Sequence, residues 1–145
     1  KLALEYKMEK KCSIIITDDD KDDQEFLIKA IKQAGINCEI ESTYDGEELM
    51  TMLKEKSGKQ NKKLPDLIIL DLNMPLMDGY EVLKELKRSS ELKHIPVYIL
   101  TTSEFEFDKI KSIAYGAKKF YSKPLIYTDL IKIVQDMLSS ELQLC

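Results

Sequence analysis

Cysteine and histidine are scarce in this chain of 145 residues, with three of the first and one of the second. Cys12, Cys38 and Cys145 have no metal-ligand spacing, and only His94 is available to join them. The expectation is therefore three free thiols in a reducing cytosol, with Cys38 in the core and His94 in an exposed loop. Basic clusters interleaved with aromatics are also missing. The 22 basic and 26 acidic residues leave a formal charge of −4, which disfavours direct nucleic-acid binding. No apolar run approaches the roughly 20 residues of a membrane span. The start KLALEYKMEKK lacks the sustained apolar core of a secretory signal, so a cytoplasmic protein without membrane contact is expected. Internal repeats and low-complexity tracts are absent. A chain of this length that is 43% hydrophobic suits one domain with a sizeable core.

What is present is an alternation of two periodicities. Cys12 to Thr17 is a β-branched run that stops at Asp18-Asp19-Asp20, as a buried strand meeting solvent does. Phe26, Leu27, Ala30, Ile31 and Ala34 then recur at helical spacing, with acidic residues in the first turn and Gly35 at the stop. Cys38 to Thr43 predicts a second strand. A helix carrying Leu49, Met50 and Leu53 follows it, up to the Ser57-Gly58 break. The polar stretch from Ser57 to Leu64 predicts an exposed loop.

Leu67-Ile68-Ile69-Leu70 is a near-continuous apolar run ending at Asp71, the pattern of a central parallel strand. A third helix carries Tyr80, Val82, Leu83 and Leu86. Pro96 to Leu100 predicts a fourth strand ending at Thr101-Thr102, before a helix with Phe107, Ile110, Ile113 and Ala114 that stops at Gly116. Lys119 to Ser122 predicts a fifth strand ending at Lys123-Pro124, and Leu130, Ile131, Val134, Met137 and Leu138 line the last helix. The expected organisation is a charged leader over 1–11, one domain over 12–139 and a tail over 140–145. Five strands alternating with five helices imply an α/β, doubly wound parallel sheet with right-handed crossovers.

Sites in such sheets form beyond the C-terminal strand ends. There the chain places Asp18 and Asp19, Asp71, Thr101 and Lys123. Two like charges about 4 Å apart repel by about 4 kcal/mol at an effective dielectric of 20, so clustered carboxylates call for a cation. Mg²⁺ fits, since it takes one or two carboxylates and fills its remaining positions with water and phosphate oxygens. Beside it Asp71 can act as a nucleophile on phosphorus, with Lys123 and Thr101 meeting the phosphoryl oxygens. Calcium sensing is rejected. In an EF-hand register Asp23 stands where glycine belongs and Lys29 where the bidentate glutamate belongs. A nucleotide or flavin binder would want a glycine- or hydroxyl-rich first loop, and three aspartates there repel phosphate.

In order and spacing, IIITDDD, LIILDLNMPLMDG, VYILTTS and FYSKP resemble the receiver domain of two-component response regulators, over roughly Cys12 to Leu138. The resemblance implies a flavodoxin-like strand order 2-1-3-4-5 and Asp71 as phosphoacceptor. It also implies that Asp19 is the direct metal ligand, that Asp18 binds through water and that Asn73 offers its backbone carbonyl. Thr101 and Lys123 would hold the phosphoryl group, the Lys123-Pro124 bond would be cis, and Phe120 would be the aromatic switch. Phe120 also reads as a plain core aromatic. Thr102 stands where alanine is frequent in the family, which would partly fill the opening beside the acceptor.

The 57–64 loop and LKHIP are similar to single-domain receivers related to those serving bacterial phytochromes. Implied partners are a sensor histidine kinase or histidine phosphotransfer protein, a downstream protein target, and a second copy through helix four, strand five and helix five. Phe105, Phe107 and Tyr127 are expected on that output surface. The alternatives are a phosphorylation-independent binding module and an aspartate-nucleophile phosphohydrolase. The hydrolase would need a second acid where Asn73 stands.

Overall fold

The computed structural model describes residues 11–58 and 63–142. The expected 1–11 leader therefore lies, but for its last residue, outside the described residues, as do 59–62 of the expected loop. In chain order the elements are β1 (Cys12–Thr17), α1 (Lys21–Gln33), β2 (Cys38–Thr43), α2 (Gly46–Gly58), β3 (Leu67–Leu70), α3 (Gly79–Arg88), β4 (Val97–Thr101), α4 (Glu106–Ala114), β5 (Lys119–Ser122) and α5 (Tyr127–Leu142). All strand pairings are parallel and the order is β2-β1-β3-β4-β5, as expected. The last helix reaches Leu142, so Ser140 to Leu142 are helical and not a tail. No helix among the described residues is long and apolar enough to cross a membrane.

The central strands are apolar throughout because each feeds two cores. Ile15, Ile68, Leu70, Val97 and Ile99 point to one face, where Leu49, Leu53, Val82, Leu83 and Leu86 close over them. Ile14, Ile16, Leu67, Ile69, Tyr98 and Leu100 point to the other, beneath Leu27, Ile31, Val134, Met137 and Leu138. Alternate residues face opposite sides of a strand, so a strand covered on both faces has no polar position to spare. Each fully buried Leu, Ile or Val contributes about 1.5–3 kcal/mol relative to exposure. The polar residues begin where this cover ends.

Caps fix where the helices start. The Asp20 carboxylate accepts from the Asp23 N–H at 3.1 Å and opens α1, which closes at Gly35 with φ 78°. Asp78 and Glu81 form a reciprocal capping box at α3, with bonds of 2.9 and 3.3 Å.

Three features depart from the apolar pattern or from the expected free thiols. Phe26 is 54% exposed, while Gln24 turns inward at 2% exposure. The helix therefore buries the line Gln24, Leu27 and Ile31, rotated from the one its apolar residues mark. On α4 the residues Phe107, Ile110 and Ile113 are 70, 62 and 42% exposed, and Ser112 is the buried residue. The inner side of this short helix is occupied instead by hydrogen bonding from Asp108 to α3. Cys12 and Cys38 are not free thiols: they form a disulfide with Cα atoms 4.6 Å apart. They are direct register partners on neighbouring strands, which the 26-residue sequence separation conceals. His94 is exposed, as expected.

Candidate functional site

Parallel strands end together, and the residues following β1, β3 and β5 consequently meet. The Asp71 N–H donates to the Thr17 carbonyl at 3.0 Å, and the Asp18 N–H to the Thr43 carbonyl at 3.2 Å. These extensions of the ladder fix both aspartates at the rim of the sheet. Asp18 and Asp71 are buried and Asp19 is exposed. Ligand oxygens of all three lie within 4.8 Å of one another. This is a hard, all-oxygen donor set with room for water and a further ligand, which fits Mg²⁺. Asp19 and Asn73 also line an open cleft of about 440 Å³ with Met74, Pro75 and Asp78.

A lysine already lies among these acids. The Lys123 ammonium is 2.6 Å from Asp18 Oδ2, 2.7 Å from Asp23 Oδ2 and 3.3 Å from Asp71 Oδ2. Burial works to lower its pKa, but hydrogen bonds to Asp18 and Asp23 and the Asp71 charge prevail and hold it above the ordinary lysine range. Burial pushes the Asp18 carboxyl up to about 6. The Lys123 hydrogen bond and the Asp20 N–H, at 2.9 Å, oppose that rise, and the nearby Asp71 charge adds to it. The other Asp71 oxygen, Oδ1, accepts the Asn73 N–H at 3.3 Å. At the C-terminal end of β4, Thr101 is fully buried and its Oγ1 has no hydrogen-bond partner among the described residues. An orphaned buried hydroxyl costs about 1–3 kcal/mol.

The structure thus gathers Asp18, Asp19, Asp71 and Lys123 into one cluster and holds Asn73 against Asp71. Phe120 is half-buried, registered against Ile99 and packed on the core beneath α2 and α3. Thr102 is exposed. One expectation fails here. The Lys123-Pro124 bond is trans, there being no cis peptide among the described residues. Trans is intrinsically favoured before proline by about 0.5–1 kcal/mol, and Lys123 reaches all three acids without the cis form. Tyr127 lies against Phe26 of α1, with ring centroids 6.4 Å apart.

Two functional residues escaped sequence reasoning. Asp23 reads as one more acid favourable to a helix N-terminus, yet it grips Lys123. Gln24 Nε2 donates to the Asp18 carbonyl at 2.8 Å and the Thr43 carbonyl at 2.7 Å, tying the acidic loop to β2. Its only signal is a three- and seven-residue spacing to Leu27 and Ile31, which places a polar residue on the inward line.

The chain matches the family model for the response regulator receiver domain over residues 14–135. It is 38% identical over 122 residues to Response regulator Rcp1 of Synechocystis sp., across 84% of this chain and 83% of that protein. The crystal structure of the phosphorylated cyanobacterial phytochrome response regulator RcpA is similar with a TM-score of 0.83 at 32% identity, covering 94% of this chain and 97% of that one. For the Mn(2+)-bound form of response regulator Rcp1 the TM-score is 0.79 at 36% identity, over 92 and 96% of the two chains. The matched span takes in both strand-one aspartates, the Asp71 rim, Thr101 and Lys123, and the chain belongs to the response regulator receiver domain family.

Proposed function

We propose that Asp71 accepts a phosphoryl group in a two-component phosphorelay, from a phosphohistidine on a sensor kinase or histidine phosphotransfer protein. An Asp71 carboxylate oxygen attacks phosphorus, the P–N bond to imidazole breaks, and its electron pair returns to the ring nitrogen. The observation that carries this reading is the meeting of Asp71, Asp18, Asp19 and Lys123 within a few ångströms at the rim of the sheet. A bound Mg²⁺ would neutralise charge developing on the phosphoryl oxygens, held by Asp19 and Asp71 carboxylates, by Asp18 through water and by the Asn73 carbonyl. Lys123 supplies a second positive charge to those oxygens, and the orphaned Thr101 hydroxyl donates to one of them. The protein catalyses only its own phosphorylation and dephosphorylation.

Output then passes through a protein surface. Thr101 drawn toward the phosphoryl group vacates space behind it, Phe120 moves inward, and the α4 face carrying Phe105, Phe107, Ile110 and Ile113 changes its presentation to a downstream target or a second copy. The chemistry is tested by incubating the protein with a small acyl phosphate and Mg²⁺ and measuring intact mass. Wild type gains one phosphoryl group and Asp71→Asn gains none. Full Mg²⁺-dependent labelling of Asp71→Asn would assign the acceptor elsewhere.

A further inference from the structure

Lys123 touches three carboxylates, and only two of them belong to the cluster that fits a metal ion. Asp18 and Asp71 lie in that cluster with Asp19. Asp23 does not. It stands on the first turn of α1, with its side chain 37% exposed against 9% for Asp18 and 6% for Asp71. A divalent cation entering the cluster brings positive charge beside the Lys123 ammonium and claims two of its three partners. The ammonium is largely buried, its side chain 13% exposed, so it cannot simply exchange those partners for full hydration. The carboxylate still open to it is Asp23, already at 2.7 Å.

We propose that Asp23 is a positioning residue acting through Lys123: it retains the ammonium when a divalent cation takes over Asp18 and Asp71, and so holds the lysine within reach of an incoming phosphoryl group. The inference rests on the reading of this cluster as the Mg²⁺ and phosphoacceptor site. It differs from a general electrostatic effect in one respect. A merely nearby negative charge attracts Mg²⁺ whether or not Lys123 is present, whereas a partner for Lys123 matters only while Lys123 is there.

A double-mutant cycle separates the two. Mg²⁺ affinity is measured from amide chemical-shift titration of wild type, Asp23→Asn, Lys123→Met and the double variant, at an ionic strength of about 0.15 M to screen exposed charges. Asp22→Asn, an exposed acid on the same turn, controls for simple loss of charge, and thermal melts confirm that each variant is folded. Asp23→Asn is expected to weaken Mg²⁺ binding at least about threefold with Lys123 present and less than about twofold in the Lys123→Met background. Asp22→Asn should stay below about twofold in wild type. Equal weakening in both backgrounds would make Asp23 an ordinary surface charge and overturn the proposal, as would unchanged affinity in Asp23→Asn alone. If wild type showed no Mg²⁺-dependent shifts at Asp18, Asp19 or Asp71, the site reading itself would fall and the proposal with it. That outcome is distinct, because the first two failures leave Mg²⁺ binding intact.

Discussion

Burial gives Asp18 a proton affinity unlike that of an ordinary aspartate, and this has two consequences of known sign. The carboxyl goes from 3.8 to about 6 on folding, so between those values the folded chain holds a proton that the unfolded chain has lost. Without metal, the stability contributed by this group therefore falls as pH rises from about 4 to about 6. If the proposed Mg²⁺ binds here it competes with the proton for this carboxylate, so metal binding should run the other way. Affinity should drop about fourfold between pH 7.5 and pH 5.5, following the ionised fraction of a group titrating near 6. Calorimetric or chemical-shift titration at the two pH values checks this, and a flat profile would show that Asp18 plays no part in holding the ion. Asp18, Asp19, Asp71 and Thr101 were legible in the sequence because each follows an apolar run that ends at the sheet rim, and Lys123 because it ends the fifth strand of the same alternation. Asp23 and Gln24 were not. Their roles depend on the direction of a side chain at the first turn of a helix, and composition favours acids at that turn for an unrelated reason.

At the scale of elements, α4 departs furthest from its sequence pattern. Phe107, Ile110 and Ile113 fall at helical spacing, yet the structure leaves this apolar stripe in solvent. What turns the helix is a polar contact. Tyr80 of α3 donates to the Asp108 carboxylate, Ser103 donates to its other oxygen at 2.6 Å, and the Ser103 carbonyl accepts from Ser122 Oγ at 2.8 Å. The hydrogen bonds from Ser103 and Tyr80 hold Asp108 below the usual carboxylate range. Tyr80 also meets the Tyr115 ring edge-on at 5.7 Å, and the Lys111 ammonium lies 4.2 Å from its centroid. Periodicity locates an apolar stripe but does not say whether a competing hydrogen bond faces the core. Tyr80→Phe keeps the ring contacts and removes the bond. It should cost about 0.5–1.5 kcal/mol in urea unfolding and hasten amide exchange from Asp108 to Ser112. Unchanged exchange there would mean that packing alone orients α4. The loop from Asp71 to α3 is set by backbone approach, since a Cβ on Gly79 would come within 2.5 Å of the Asp71 carbonyl oxygen.

For the whole molecule, the two-sided core was legible because near-continuous apolar strands alternate with helices, which must then cover both faces, while the strand order was implied by the resemblance to receiver domains. Pairing between cysteines 26 residues apart did not, since it depends on the register of two strands and an odd count of three points away from it. Under denaturing, non-reducing conditions a thiol assay should find one reactive group, from Cys145, and three after reduction. Three groups before reduction would show that Cys12 and Cys38 remain thiols in the isolated protein.

That covalent link stands at the N-terminal end of β1 and β2, and the other end of the same pair is tied as well. Thr17 and Thr43 share a hydroxyl contact at 2.8 Å, and Gln24 bridges Asp18 and Thr43. The sheet is in effect a plate clamped along one side. Its opposite border is β5, four half-buried residues held to their surroundings by hydrogen bonds and an ion pair, with no covalent link among the described residues. A push applied at Asp71, in the middle strand, meets a rigid abutment toward β2 and compliance toward β4 and β5. If Asp71 is loaded as proposed, displacement is expected on the side that carries Thr101, Phe120 and the exposed stripe of α4.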